Sequence, residues 1–261
     1  VARTTAREGV VSAPEVSVIV AARNAADVIG ACLTSLAAQT VTSHEVIVVD
    51  DGSTDETAAI AQAHGAVVVR STAVGASVAR NLGVEHARGR IVAFTDADCT
   101  VPPTWLASLV GAMESTGATG VGGPQRNVFA ADTTGAEAFD AFFRLAAVVS
   151  DYTRSGGGLR EVGHNASCNS AYRKHALVEI GGFTPGLWPG EDVDLDLRLR
   201  ARGARLVFVP DATVWHHRPG TLRWFRQMMR RYGAAERQLV RRHGRTRRID
   251  YMPVALVAVG L

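Results

Sequence analysis

The chain has 261 residues, 47% of them hydrophobic and 20% charged, a balance that buries a sizeable core and excludes disordered and fibrous classes. Three cysteines, Cys32, Cys99 and Cys168, are odd in number and lack any C-x-x-C spacing, so they suggest neither a disulfide framework nor a zinc site and fit a reducing compartment. Net charge is only +3, yet between Arg218 and Arg248 eleven arginines face one acid, Glu236, so the basic character belongs to one end.

Residues 1–15 contain Arg3 and Arg7 but no continuous apolar stretch, and read as a loose leader rather than a secretory signal. The run Val16-Ser-Val-Ile-Val20 is short and β-branched, which predicts a buried strand, and a helical pattern follows over residues 27–39. Val46 to Val49 repeats the strand signal. Asp51-Gly-Ser-Thr-Asp55 then supplies turn and capping residues for a helix over 56–64. Val67 to Val69 predicts a third strand, residues 76–87 a helix, and Arg90 to Phe94 a fourth strand. Such alternation implies a mostly parallel sheet with helices on both faces.

Beyond Pro102-Pro103 a helix is expected over 105–114, then a turn-rich stretch at Gly120 to Gly123, a helical pattern over 139–149 and a flexible loop at Ser155-Gly-Gly-Gly158. From Ala171 onward the pattern predicts another helix, a Gly181-Gly182-Phe183 turn, a helix over 193–202 and a strand over 205–209.

In open α/β sheets ligands bind beyond the carboxyl ends of the strands, where Arg23-Asn24, Asp50-Asp51 and Asp96-Ala97-Asp98 all fall. The D-x-D pair repels itself unless water, a donor or a cation compensates, and its hard oxygens suit Mg²⁺ or Mn²⁺; a solvated turn is the plain alternative. Asp51 can accept from a base N–H or a ribose hydroxyl, although Asp-Gly is also a common turn pair. In Gly190-Glu-Asp-Val-Asp-Leu-Asp196 the acids sit at a helix start, where the dipole and free N–H groups favour them. His216 and His217, past a buried strand and beside Trp215, invite a metal-ligand role, and a structural role competes with it.

These stretches, in this order, resemble the family 2 glycosyltransferases: V-S-V-I-V-A-A-R-N, E-V-I-V-V-D-D-G-S-T-D, A-R-N-L-G, F-T-D-A-D, G-G-F, G-E-D-V-D-L-D-L-R and V-W-H-H-R-P-G. The resemblance spans residues 16–232 and implies the GT-A fold, a Rossmann-like, mostly parallel α/β sheet flanked by helices with a mixed acceptor-side half. It implies a nucleotide-binding half over about 16–100 and an acceptor and catalytic half over about 101–220. Residues 233–261 then form a basic helix and an apolar C-terminal segment.

The implied activity is inverting transfer from a nucleotide-diphosphate sugar, a UDP-sugar being favoured, with Mn²⁺ or Mg²⁺ as cofactor. Ala21, Arg23 and Asn24 match the end of the first strand that meets the base, and Asp51 the base-reading carboxylate. Arg80 matches a position near the diphosphate, where a guanidinium fork suits phosphate oxygens. Asp96 and Ala97 approach the nucleotide sugar, Asp98 ligates the cation, and His216 or His217 completes its shell. Asp192 matches the catalytic base and Glu191 its supporting neighbour. Asn165, like Asn169, faces the sugar or acceptor. The family often carries an aromatic residue where Arg23 stands, which leaves a guanidinium-over-base contact in its place.

Carbohydrate, lipid-linked and small-molecule acceptors all stay open, and nothing outside the arginine-rich end supports nucleic-acid binding. A nucleotidyltransferase would carry an early Gly-rich phosphate loop, whereas the first strand ends here on A-A-R-N. A non-catalytic sugar-nucleotide binder remains the other alternative. The cysteine usage places the chain in the cytoplasm, and the arginine-rich end reads as a basic amphipathic helix able to rest on an anionic membrane, the inner face of the cell membrane being the surface it could meet. Binding to anionic vesicles at low salt is the expected result.

Overall fold

The computed structural model describes residues 13–129, 135–138 and 157–245. The expected helix over 139–149, residues 155 and 156 of the glycine loop, and the chain ends at 1–12 and 246–261 lie outside them. The β-branched runs form the strands expected: β1 (Val16–Ala22), β2 (His44–Asp51), β3 (Val67–Ser71) and β4 (Ile91–Asp96), mutually parallel in the order β3-β2-β1-β4. Between them run α1 (Ala26–Ala37), α2 (Thr57–Ala63) and α3 (Ala76–His86). After the two-residue strand β5 (Cys99–Thr100) comes α4 (Trp105–Thr116), which ends on Gly117 at φ 66°, a left-handed conformation that glycine adopts without strain.

The second half corrects two expectations. Gly120 to Gly122 is a strand, β6, rather than a turn, and the segment from Ala171 belongs to strand β9 (Asn169–Arg173) before the short helix α5 (Lys174–Glu179) begins. Glycine in β6 is a packing requirement: a Cβ at Gly120 would lie 2.6 Å from the Tyr172 ring, and one at Gly122 would lie 2.6 Å from Asn165 Cβ. Strand β7 (Gln125–Phe129) follows β6, and β8 (Arg160–Glu161) precedes β9. The remaining elements are α6 (Glu191–Ala201), β10 (Leu206–Phe208), β11 (Val214–Arg218) and α7 (Leu222–His243).

The main sheet runs β3-β2-β1-β4-β9-β6-β10-β8, with β9 antiparallel to both β4 and β6, so its second half is mixed. A second sheet, β5-β11-β7, lies beyond the D-x-D turn.

Period-two alternation in β1 divides the core. Val16, Val18 and Val20 join a cluster with α1 and α4, while Ile19 joins one with α3, α5 and α6. In α1 the buried Ile29, Cys32, Leu33 and Leu36 follow the i, i+3, i+4, i+7 spacing of one helical face. Helix α7 is capped by Thr221, whose hydroxyl accepts from the Trp224 amide, and buries Phe225, Met228, Met229, Ala235 and Leu239. It runs unbroken past residue 232, so the domain edge expected there falls inside a packed helix. Among the described residues no helix is long and apolar enough to cross a membrane.

Candidate active site

Parallel pairing brings the carboxyl ends of three strands together, with Ala21 across from Asp96 and Ala22 across from Asp50. At the β2 end Asp51 is buried and accepts from Ser71 Oγ (2.6 Å), Val74 N (2.8 Å) and Gly75 N (2.9 Å). Burial opposes its charge, but these donors outweigh it and hold its pKa below the ordinary carboxylate value. A carboxylate has about four lone-pair sites, so the three bonds leave one, on Oδ2, for a ligand. Arg23 is exposed beside it. Asn24, at φ 50°, accepts from Thr54 N at 2.9 Å through its side-chain oxygen and clasps one strand-end loop to the next.

Arg80 lies on α3. Its guanidinium is buried and donates to Glu191 at 2.7 Å and to Asp96 at 2.9 Å, so the fork faces two carboxylates instead of open solvent. Burial disfavours the cation, yet Glu191 and Asp96 raise its pKa above the ordinary value. The neighbouring residues of A-R-N-L-G work the same seam. Asn81 exchanges two hydrogen bonds with the Phe183 backbone, and a Cβ at Gly83 would lie 2.5 Å from Ile19. The motif is therefore a bolt between α3, β1, the 181–183 turn and the start of α6.

The acids of α6 separate by environment. Glu191, Asp194 and Asp196 have side chains no more than 3% exposed, and Asp192 keeps 17%. Asp194 accepts from Thr184, Arg198 and His243, which ties α7 down onto α6. Asp196 accepts from Tyr172 Oη and the Asn165 amide and lies 3.0 Å from His164 Nδ1. Asp192 Oδ1 accepts from the Val193 amide and Oδ2 from the Ser167 amide, with His164 Nε2 at 3.9 Å. Burial, and then Asp192, push Glu191 up to about 7 against the pull of Arg80. His164 and Asp196 were not legible as site residues, because nothing in their spacing announces that β9's approach loop meets α6.

Strand alternation separates the two histidines. His216 is buried with Nε2 3.1 Å from Asp98 Oδ1, whereas His217 faces outward and its Nε2 lies 3.1 Å from Thr100 Oγ1. His217 thus does not join the cluster. Burial opposes the Asp98 charge, but His216 and then Arg218 hold its pKa below the ordinary value. Ala97, between the two acids, is buried at 7%.

Asn169 is spent on structure: it donates to the Pro124 and Ala212 carbonyls and accepts from Trp105 Nε1. Asn165 is equally buried, but both amide atoms of its side chain have no hydrogen-bond partner. Cys99 and Cys168, unrelated by spacing, come together here with Asp96 and His216, one ligand atom from each within 4.8 Å of the others.

Residues 17–181 match the glycosyl transferase family 2. The chain belongs to that family. The glycosyltransferase AglE of Haloferax volcanii is 31% identical over 211 residues, which is 78% of this chain and 67% of that protein. The pre-mycofactocin glycosyltransferase of Mycobacterium tuberculosis is 30% identical over 88% of this chain and 48% of its own length. The family 2 chain therefore spans only part of the length of these relatives. Among solved structures, the mannosyltransferase PcManGT from Pyrobaculum calidifontis, in complex with GDP-Man and Mn²⁺, superposes with a TM-score of 0.67 at 21% identity, covering 95% of this chain and 70% of that one. Staphylococcus aureus TarS, in complex with UDP-GlcNAc, gives 0.63 at 18% identity, covering 87% and 66%. Both have the GT-A fold, and so does this chain.

Proposed function

We propose that the chain transfers a sugar from a nucleotide-diphosphate sugar to an acceptor hydroxyl, with inversion at the anomeric carbon. The observation that carries this reading is the buried Arg80 bridge between Asp96 and Glu191. It fixes the D-x-D edge against the start of α6, whose Asp192 alone among that helix's acids keeps an exposed face. The bound nucleotide sugars named for PcManGT and TarS support a donor of this class, and a UDP-sugar is the favoured one.

The donor's base would meet Ala21, Arg23 and the remaining lone pair of Asp51. Asp98 and His216 fit a divalent cation: one hard oxygen and one imidazole nitrogen lie 3.1 Å apart, and the Asp98 side chain is 35% exposed. Mn²⁺ or Mg²⁺ held there would neutralise charge gathering on the departing diphosphate. Asp192 has a lone pair left on each oxygen and takes the proton of the attacking hydroxyl. Its hydrogen bonds from the Ser167 and Val193 amides hold the carboxylate in place. Asn165 offers its unspent amide to a sugar hydroxyl. The acceptor is a carbohydrate, a lipid-linked molecule or a small molecule. The exposed arginines of α7, among them Arg223, Arg226 and Arg230, suit an anionic surface at the cytoplasmic face of a membrane.

A thermal-shift panel of UDP-, GDP- and TDP-sugars, with and without Mn²⁺, tests this. One donor class should raise the melting temperature, since ligand at 100 times its Kd stabilises by about 2.7 kcal/mol. Asp98→Ala should lose the Mn²⁺-dependent part of that shift. No shift from any donor, or a shift unchanged by Asp98→Ala, would contradict the assignment.

A further inference from the structure

Two thiols that the proposed transfer does not use lie inside the site. Antiparallel pairing of β5 with β11 sets Cys99 across from His216. The turn before β9 brings Cys168 to the same place, its Sγ 3.0 Å from Gln125 Oε1. Both thiols are buried, at 1% and 5% exposure, so an ion between them would be largely dry.

One ligand atom each from Asp96, Cys99, Cys168 and His216 lies within 4.8 Å of the others. Around a tetrahedral zinc ion, with metal–sulfur bonds of about 2.3 Å and metal–nitrogen bonds of about 2.0–2.1 Å, ligand atoms stand roughly 3.3–3.8 Å apart. Small side-chain rotations of these four residues close the gap. The donor set matters as much as the distances. Two sulfurs, an imidazole and a carboxylate are too soft for Mg²⁺ or Mn²⁺ and suit Zn²⁺.

We propose that Asp96, Cys99, Cys168 and His216 form a zinc site that excludes the hard cation of Asp98 and His216, because both sites draw on the one imidazole. Zinc binding displaces the two thiol protons to solvent as the metal–sulfur bonds form. Zn²⁺ lies above Mn²⁺ in the affinity order of divalent metals, so zinc holds the site against a hard-metal excess and silences it.

Arg218 governs entry. Its Nη2 donates to His216 Nδ1 at 3.0 Å, which leaves the ring proton on Nε2, facing Asp98. Ligation through Nε2 transfers that proton to Nδ1, and Arg218, held through Nε by Asn127 Oδ1 at 2.9 Å, must swing Nη2 aside.

The test is Co²⁺ added to the metal-free full chain. One equivalent should give an intense near-ultraviolet sulfur-to-cobalt charge-transfer band, abolished by Zn²⁺. Cys99→Ser and Cys168→Ser should each weaken that band and lower zinc affinity at least tenfold, while Arg218→Met should tighten zinc binding. Zn²⁺ should also erase the Mn²⁺-dependent part of the donor thermal shift in the wild type, and do so less well in the serine variants. Should a serine variant fail to fold, the wild-type spectrum alone decides. Wild-type protein that binds Co²⁺ without a charge-transfer band, or does not bind it, overturns the zinc site. The donor assignment is read separately from the Mn²⁺ shift without zinc, so either reading can fail while the other stands.

Discussion

Asp192→Asn is expected to lower sugar transfer by about 10²–10⁴-fold while leaving donor affinity within a few-fold of wild type. The size follows from what the residue does in the proposed reaction. An acceptor hydroxyl attacking the anomeric carbon becomes acidic only as its bond forms, so a base in contact with it acts in the transition state and scarcely at all on the bound donor. The amide replacement keeps the shape of the side chain and loses the proton affinity. It also keeps an oxygen to accept from Ser167 or Val193, so the local fold should survive. Steady-state kinetics with the identified donor check this: kcat should fall and the donor KM should hold. Unchanged turnover would remove Asp192 from the reaction.

Arg80→Met should destabilise the fold by about 3–5 kcal/mol, because it strips a buried cation from two carboxylates at once. Glu191 is the more exposed to that loss in energetic terms, being almost fully buried, and it should respond by taking up a proton. A carboxyl whose folded-state pKa is raised binds its proton more tightly in the folded than in the unfolded chain. Stability therefore falls as pH rises from the unfolded value through the folded one, here about 7 in the wild type. In Arg80→Met the folded value moves higher still, so the penalty should be larger at pH 8 than at pH 6. Urea unfolding at the two pH values measures it, and Glu191→Gln added to Arg80→Met should recover part of the loss. A pH-independent loss with no recovery would mean that packing, not charge, is what Arg80 supplies.

The strands of the first half were legible because Val16 to Val20, Val46 to Val49 and Arg90 to Phe94 are β-branched or apolar runs bounded by turn residues, and parallel order follows from the intervening helices. Gly120 to Gly122 was not. Clustered glycines usually signal a turn, and the Tyr172 ring and the Asn165 side chain, both distant in sequence, explain why Gly120 and Gly122 carry no side chain here. At the site, the position of each acidic cluster at a strand or helix end could be read from its neighbours. Which partner each charge takes could not. Arg80 reads equally well as a phosphate ligand or as the bridge between Asp96 and Glu191, and the choice depends on where α6 docks. His216 and His217 differ by one residue, and strand alternation decides between them only once β11 is paired with β5. Cys99 and Cys168 carry no spacing signal because two separate sheets bring them together.

In the proposed reaction the carboxyl edge of β1, β2 and β4 holds the nucleotide and its diphosphate, with the anomeric carbon facing Asp192. A crystal structure of the chain soaked with a UDP-sugar and Mn²⁺ measures it most directly. The base should lie against Asp51 and the cation on Asp98 and His216 Nε2, with an open path from Asp192 to the face of the sugar opposite the diphosphate. Nucleotide bound at another edge, or a sugar whose leaving group lies between Asp192 and the anomeric carbon, would contradict it.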